Sequence, residues 1–485
     1  MAANAPSRPS GRIDAWFSLS DRGSTYGREI RGGLVTFFTM AYIVVLNPLI
    51  IGTAKDMNGL YVGGTDNMVK AITMVTAATA LVAGLMTLLM GAIGRFPLAV
   101  AAGLGLNGFV AFTLAPRMTW ADAMGLVVLE GVLILILALT GFRSAVFTAV
   151  PEPLKYAIGV GIGLFITIIG LVDAGIVRTG VPLVSFGIAG ELQGWPIFTF
   201  CAGLFITIVL VVRRVMAAIL IGIVATTVLA IVIEAFVGIG GRSTTNEDGW
   251  GLNVPVLPES VLAVPDLGLL GQFSLFGSFE VIGVLASLLA IFSLMLSDFF
   301  DTMGTAFGLA TEADLIDDEG RIPHFESILV VDSIAAVAGG AASVSSNTAY
   351  VESASGIAEG ARTGIASLVT GGLFLIAMFF SPLVTIIPYE AASPALVVVG
   401  FLMMTQIRHI DFSDYSIGIP AFLMIVIMPF TYSITNGIGA GFVSWIVIKV
   451  CTGKAREVNW LMWVISLAFL AYFGIYPIEL GLGLK

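Results

Sequence analysis

The chain consists largely of apolar stretches, each close to the length needed to cross about 30 Å of hydrocarbon. Short polar breaks separate them, and a polar, Gly- and Pro-rich connection at 240–277 divides them into two sets of about seven. The first set lies near 33–53, 69–91, 96–115, 121–141, 154–174, 195–212 and 215–239. The second lies near 278–310, 325–342, 343–361, 363–387, 391–406, 415–450 and 458–480. The pattern predicts an all-α polytopic membrane protein in two halves, with one undivided bundle as the alternative.

Composition excludes several classes of function. Of the 485 residues, 58% are hydrophobic and 11% are charged, against about 25% charged in a typical soluble protein. A soluble enzyme is therefore excluded. The net charge of −10 argues against a nucleic-acid partner, because neutralising phosphates requires basic clusters. With only two cysteines and two histidines, we expect no disulfide framework, no metal site and no cofactor.

Charge placement predicts the orientation of the chain. Residues 1–32 form a polar, basic segment without the pattern of a cleavable signal peptide. Basic residues before a first span favour a cytoplasmic N-terminus, so we expect a multi-pass protein of the cell membrane with this segment inside. The stretch 415–450 is too long for one span, and we expect it to break near Pro429 or at Asn436 and Gly437. The direction of the last two segments is left open.

Two segments at membrane depth are poor helices. They lie at 96–108 and 341–356, and each is the third segment of its half. Glycine-interrupted segments at matching positions indicate a repeat whose broken helices meet at a central site. Irregular backbone survives in a membrane only where it is buried in protein or lines a cavity. The alternative is that the glycines only allow close helix packing.

Acidic residues within the spans are the candidate functional side chains, because an ionisable group at membrane depth costs about 2.5–3.5 kcal/mol on insertion scales. They are Glu130, Glu234, Asp298, Asp301, Asp332 and Glu352. Glu352 lies in the second broken segment among hydroxyl side chains, including Ser353, which we expect to hydrogen-bond a polar ligand. Asp298 and Asp301 share one helical face, and Asp301 is the preferred member of the pair. Asp332 either joins the same cavity or bonds the backbone of a broken helix, whereas Glu130 and Glu234 are expected to be structural or to lie near an interface.

Four motifs make the chain recognisable over nearly its whole length. They lie at 28–48, 300–305, 350–364 and 429–441. In this order they resemble the AzgA-like purine permeases of the nucleobase–ascorbate (xanthine/uracil) permease superfamily. The third segment departs from the purine branch, because this chain has Ala102-Gly103-Leu104-Gly105-Leu106-Asn107-Gly108 where relatives usually read Pro-Gly-Met-Gly-Leu-Asn-Ala.

The resemblance implies a particular architecture. Fourteen segments would form two inverted repeats of seven, with short strands in the third and tenth segments. A core domain would comprise 33–141 and 278–387, and a gate domain 154–239 and 391–480.

The resemblance also implies the site residues. By motif position, the acids that hold the base are Asp301 and Glu352, a polar position four residues after the first acid is Thr305, and the polar position of the first span is Thr36. Backbone groups near Ala102–Gly103 and Val351–Glu352 would complete the contacts.

These assignments lead to a functional hypothesis, proton–purine symport. Asp301 and Glu352 would bind a purine nucleobase, and Asp301, Asp332 or Glu352 would carry the proton, while Phe37, Phe38 and Phe300 are candidates for stacking on the ring. The partners implied are a purine nucleobase, a proton and the lipid bilayer, with a homodimer left open. Alternatives are uracil, xanthine or a small anion as substrate, an intramembrane aspartyl enzyme, and a passive channel.

Overall fold

The computed structural model describes residues 11–140, 149–180, 183–258, 260–316 and 322–474. The side chains of Phe300, Gly304 and Phe307 are outside this description, as are residues 1–10, 141 and 475–480 of the predicted segments. The helices of the first half are α1 Arg12–Phe17, α2 Tyr26–Met40, α3 Ile43–Ile51, α4 Met68–Leu89, α5 Leu104–Phe109, α6 Trp120–Thr140, α7 Glu152–Asp173, α8 Trp195–Val212 and α9 Ala218–Val237.

The second half begins after a long irregular connection. Its helices are α10 Gly277–Val281, α11 Val284–Glu312, α12 Phe325–Ala341, α13 Ser353–Ala358, α14 Gly364–Ala377, α15 Tyr389–Met404, α16 Tyr415–Thr431, α17 Ile434–Cys451 and α18 Trp460–Phe473. Among the described residues, 10 helical stretches are long and apolar enough to cross a membrane, and α16 and α18 are shorter apolar helices. The prediction of a helical polytopic membrane protein is confirmed.

The expected break in the long stretch 415–450 is present. Helix α16 ends at Thr431, two residues after Pro429, and Tyr432 follows with a left-handed φ of 49°. The side chain of Ser433 then caps α17 by accepting a hydrogen bond from the backbone N–H of Asn436. The break therefore comes after Pro429, and Asn436 and Gly437 lie inside the following helix.

Two short strands lie at the centre of the fold, where sequence analysis placed the broken segments. Strand β1 (Val100–Ala102) pairs antiparallel with strand β4 (Asn347–Ala349), so that Val100 faces Ala349 and Ala102 faces Asn347. The pairing extends through the Gly103 N–H, which donates to the Ser346 carbonyl at 2.9 Å. Every residue of both strands is buried. Each strand thus satisfies part of the other's backbone at membrane depth, where water cannot. The remaining strands, β2 (Val177–Thr179) and β3 (Val184–Phe186), form a separate hairpin.

Helix packing around the strands depends on small residues. Helix α4 packs on α14, α6 packs on α12 and α11, and α7 packs on α15 and α16. Gly163 of α7 and Gly400 of α15 meet directly. A Cβ on Gly163 would lie 2.6 Å from the Gly400 carbonyl oxygen, and one on Gly400 would lie 2.5 Å from the Gly163 carbonyl oxygen. Only glycine allows two helix backbones to approach this closely.

Candidate functional site

A cavity of about 100 Å³ lies beside the paired strands. Its wall includes both preferred acids, Asp301 and Glu352, together with Tyr42, Thr305 and Thr348. The half-helix α5 contributes its first residues, and α15 closes the far side with apolar side chains. The cavity is therefore lined by elements from both halves of the chain, and its lining contains no Lys, Arg or His.

Asp301 lies on α11, one helical turn before Thr305. Its Oδ2 accepts a hydrogen bond from the hydroxyl of Thr348 at 3.2 Å. Thr348 is the middle residue of β4, so the strand holds the carboxyl group in place. An ionised carboxylate can accept about four hydrogen bonds. Asp301 therefore keeps acceptor capacity for a ligand in the cavity.

Glu352 directly precedes α13 and approaches the cavity from the other side of β4. The hydroxyl of Tyr42 donates a hydrogen bond to its Oε1. A second tyrosine, Tyr350, donates to the carbonyl of Ala102 at 2.6 Å and so ties the two broken segments together. Both acids are thus positioned by hydroxyl groups of neighbouring elements rather than by cations.

The structure brings together only part of the predicted site. Asp301, Thr305, Glu352, Gly103 and Val351 line the cavity.

Three predicted residues lie elsewhere. Thr36 is buried against Gly356, where an added Cβ would lie 2.2 Å from its Oγ1. Ser353 is buried and its Oγ accepts from the Ala99 N–H at 3.0 Å. Ala102 is paired in β1 and its carbonyl is taken by Tyr350. These three residues hold the broken segments together and do not line the cavity.

Asp332 also lies away from the cavity, beside Asp298. The hydroxyl of Thr302 donates to Asp332 Oδ1 at 2.9 Å and lies 3.4 Å from Asp298 Oδ1. Asp298 accepts a second hydrogen bond from Ser346 at 2.8 Å. Asp298 is 0% exposed and Asp332 is 1% exposed. Asp301 and Glu352 therefore line the cavity, whereas Asp298 and Asp332 are fully buried and linked through Thr302.

Sequence analysis missed the role of Tyr42, whose hydroxyl is one of several polar groups in an otherwise apolar span. It also missed Val399 and Met403 of α15, which line the cavity but carry no polar signal. Of the proposed stacking residues, Phe37 packs edge-on against Phe374 and Phe38, and the side chain of Phe300 lies outside the description. Within the described ranges, no group of three or more His, Cys, Asp or Glu residues is arranged to hold a metal ion.

Comparison with known proteins identifies the family of the chain. The model of the xanthine/uracil permeases, described as "Permease family", matches residues 27–440. The chain belongs to the xanthine/uracil permease family. This confirms the resemblance seen in the four motifs, and it indicates a transporter rather than an enzyme.

Two named relatives of the family match almost end to end. The chain is 36% identical over 468 residues to the guanine/hypoxanthine permease PbuG of Bacillus subtilis, covering 95% of this chain and 99% of that one. It is also 36% identical over 468 residues to the adenine permease AdeQ of Escherichia coli, covering 96% of each.

Solved structures share the fold at low sequence identity. The transmembrane domain of the cyanobacterium bicarbonate transporter BicA matches with a TM-score of 0.57 at 16% identity, covering 85% of this chain and 96% of that domain. Murine Slc26a9, an anion transporter, matches with a TM-score of 0.57 at 12% identity, covering 88% of this chain and 68% of that one. These similarities concern the fold of this permease alone.

Proposed function

We propose that the protein imports purine nucleobases by proton symport and binds the base between Asp301 and Glu352. The observation that carries the proposal is the placement of two carboxyl groups, from different elements, on one cavity. The names of the relatives PbuG and AdeQ supply the class of substrate. The proposed ligand is a flat, neutral molecule with hydrogen-bond donors along its edge.

The chemistry of the base fits an acid-lined cavity. A carboxylate accepts hydrogen bonds from ring and exocyclic N–H groups, and it accepts two at once when the donors are adjacent. Guanine offers N1–H beside an amino group, and hypoxanthine offers N1–H alone. Adenine has an unprotonated N1, which needs a donor, so a protonated carboxyl or the Thr305 hydroxyl would face it.

Proton coupling follows from the same two acids. The charge state of each carboxyl decides which edge of the base it can bind, so base binding and proton binding are thermodynamically linked. The lining holds no Lys or Arg to balance two negative charges. A proton taken up with the base would remove one of those charges before the site moves. In this scheme Asp301 or Glu352 carries the transported proton, because Asp332 is separated from the cavity.

Alternating access would come from movement of a core domain (33–141 and 278–387) against a gate domain (154–239 and 391–480). The helix pairs support two structural repeats. If α4 of the first half is equivalent to α12 of the second, and α6 is equivalent to α14, then the contact between α4 and α14 should have a counterpart between α12 and α6. Both contacts are present. If α7 is likewise equivalent to α15, and α8 to α16, then the contact between α7 and α16 should have a counterpart between α15 and α8. This contact is also present.

The same relation matches β1 to β4, which pair with each other at the centre. It therefore supports fourteen segments in two sets of seven. In this scheme α17 is the last segment of the second set, and α18, at the position of the predicted stretch 458–480, lies outside the repeat. We place the protein in the cell membrane with its N-terminus in the cytoplasm, in keeping with the basic residues before α2.

Uracil, xanthine and small anions are the competing substrates. The fold is shared with a bicarbonate transporter and with an anion transporter. However, a cavity lined by two carboxyl groups and by no Lys or Arg repels an anion. A neutral base is therefore favoured over an anion, and uptake with a panel of bases separates the purines from uracil and xanthine.

The test is uptake of radiolabelled guanine, hypoxanthine and adenine into cells that lack purine transport, with and without a protonophore. We expect saturable uptake that collapses with the proton gradient. Glu352→Gln and Asp301→Asn should each raise the half-saturation concentration roughly tenfold to a hundredfold, the effect of losing a hydrogen bond to a charged group.

The matched control is Asp66→Asn, the same chemical change at an exposed position outside the spans. It should behave as the wild type. Normal uptake in both cavity variants would remove these acids from the site, and absence of purine uptake by correctly inserted wild type would refute the proposed substrate class.

A further inference from the structure

Glu130 is a buried acid that the proposed transport site does not use. It lies in the middle of α6 and is 0% exposed. Neither of its carboxyl oxygens accepts a hydrogen bond from a described group. An ionised carboxylate without donors in a membrane interior is strongly unfavourable. The side chain therefore needs another way to be satisfied.

The packing around α6 prevents Glu130 from turning toward lipid or water. Beside it, a Cβ on Gly131 would lie 2.6 Å from the backbone nitrogen of Val337 on α12. One turn away, a Cβ on Gly340 of α12 would lie 2.8 Å from the nitrogen of Val128. The two backbones are in direct contact on both sides of the acid. Glu130 is consequently fixed where it lies.

The groups that face Glu130 are acids and hydroxyls. Its side chain lies near Asp298 on α11, Ser346 and Asp332 on α12, and the single hydroxyl proton of Ser346 is donated to Asp298 at 2.8 Å. Helices α6, α11 and α12 contain no Lys or Arg. Two neighbouring carboxyl groups in such surroundings do not both ionise readily, and sharing one proton relieves their repulsion.

The hydroxyl donors decide which acid is ionised. Asp298 accepts a hydrogen bond from Ser346 at 2.8 Å, while the Thr302 hydroxyl, which donates to Asp332 at 2.9 Å, lies 3.4 Å from Asp298. Glu130 accepts none. The arrangement suits a carboxylate at Asp298 and a neutral acid at Glu130, whose O–H can donate to Asp298.

We propose that Glu130 is a neutral acid that donates a hydrogen bond to the Asp298 carboxylate, and that this shared proton stays bound throughout transport. Glu130 is then a positioning residue. Asp298 holds Ser346, and two residues further along the chain Thr348 holds Asp301 at the cavity. Residues two apart in an extended segment point to the same side. The acid pair thus fixes the register of the strand that positions the substrate-binding acid.

The protonation state can be measured without substrate, by infrared spectroscopy of the purified protein at neutral and mildly alkaline pH. We expect a protonated-carboxyl band that disappears in Glu130→Gln. The control is Glu234→Gln, because Glu234 is also an acid of a span but accepts hydrogen bonds from the N–H groups of Ile239 at 2.9 Å, Gly240 at 3.1 Å and Trp250 at 2.8 Å. That variant should keep the band. A band that survives in Glu130→Gln, or that is absent from the wild type, overturns the proposal.

Transport tests the second part, which rests on the proposed function. Glutamine keeps an N–H donor for Asp298, so Glu130→Gln should retain proton-driven uptake within roughly twofold of wild type. Glu130→Leu removes the donor and should lower uptake at least about tenfold. Loss of proton dependence in Glu130→Gln would mean that this proton moves, and wild-type uptake by Glu130→Leu would mean that it positions nothing.

A second acid variant guards against misfolding. If Glu130→Gln does not fold, Glu130→Asp should keep a protonated-carboxyl band at a shifted frequency, and an unshifted band assigns the proton elsewhere. The infrared result does not depend on purine transport, so failure of the proposed substrate leaves it interpretable.

Discussion

An ion pair with a fully buried carboxylate joins the central connection to helix α15, and it allows a quantitative test of the packing. The Arg242 guanidinium lies 2.8 Å from Glu390 Oε1, with the Arg242 side chain 27% exposed and that of Glu390 0% exposed. The backbone N–H of Gly251 also donates to Oε1 of Glu390, at 3.0 Å. The pair therefore joins the connection between the two halves to the first turn of a helix that lines the cavity.

Removing the arginine should lower the free energy of unfolding by far more than the intact pair adds to it. Breaking a buried ion pair by deleting one partner costs about 3–5 kcal/mol, because the other charge stays buried without compensation. We expect Arg242→Met to lower the free energy of unfolding by about 3 kcal/mol, since the Gly251 N–H still donates a hydrogen bond to the carboxylate. In the double variant Arg242→Met/Glu390→Gln no charge is stranded. It should be more stable than Arg242→Met alone by about 2 kcal/mol.

The measurement is the free energy of unfolding in mixed detergent micelles, followed by tryptophan fluorescence. Trp250 is 1% exposed and belongs to the same connection. The control is Lys449→Met, which breaks a 2.8 Å pair with Glu457, whose side chain is 57% exposed. It should cost at most about 1 kcal/mol. The reasoning fails if Arg242→Met costs no more than this control, or if the double variant is no more stable than Arg242→Met.

Three further changes test the site and its supports. Gly103→Val should raise the half-saturation concentration for purine about tenfold, because the added side chain intrudes into the cavity. Its Cβ would already lie 3.1 Å from Thr348 Oγ1. The control is Gly372→Val, which should be neutral, since a Cβ on Gly372 would meet nothing within 4 Å. Tyr42→Phe removes the hydroxyl that donates to Glu352 and should weaken apparent affinity about tenfold in the same assay; unchanged affinity would mean that this bond does not position the acid. Glu234→Gln should lower the free energy of unfolding by about 1–3 kcal/mol, since its N–H donors lose a charged acceptor, and unchanged stability would contradict a structural role.

The parts of the fold that follow from local chemistry were predictable from the sequence. Apolar length predicts the helices, and the excess length of 415–450 predicts a break near Pro429 or Asn436–Gly437, of which the structure shows the first. The glycine-rich composition of two segments predicts irregular backbone, and the structure shows it as the strand pair β1 and β4. The register of that pair was not predictable, because it depends on contacts between segments about 250 residues apart, such as the bond from the Tyr350 hydroxyl to the Ala102 carbonyl.

Site residues whose burial costs much free energy were predictable from the sequence. Site residues whose burial costs little were less predictable. Asp301 and Glu352 are conspicuous in apolar spans, and both line the cavity. Thr36 and Ser353 are small polar residues that suit either a ligand or the protein interior, and the structure places both in the interior. Small hydroxyl groups are easily satisfied by backbone, so their sequence position alone does not distinguish these roles.

What separates the buried acids from one another is the group that satisfies each carboxyl. Glu29 accepts from backbone N–H groups at the start of α14, and Glu234 accepts from donors just beyond α9. Because donors of the protein itself bind these carboxylates, such acids stabilise the fold. Asp301 and Glu352 each have a hydroxyl donor and a side open to the cavity, which leaves them able to exchange a base or a proton. Glu130 has no donor and an acid as its neighbour, so it must keep a proton to remain buried. Hydropathy scores the burial of all five acids alike. Their hydrogen-bonding partners distinguish the acids that support the fold, those that exchange a base or a proton, and the one that stays protonated.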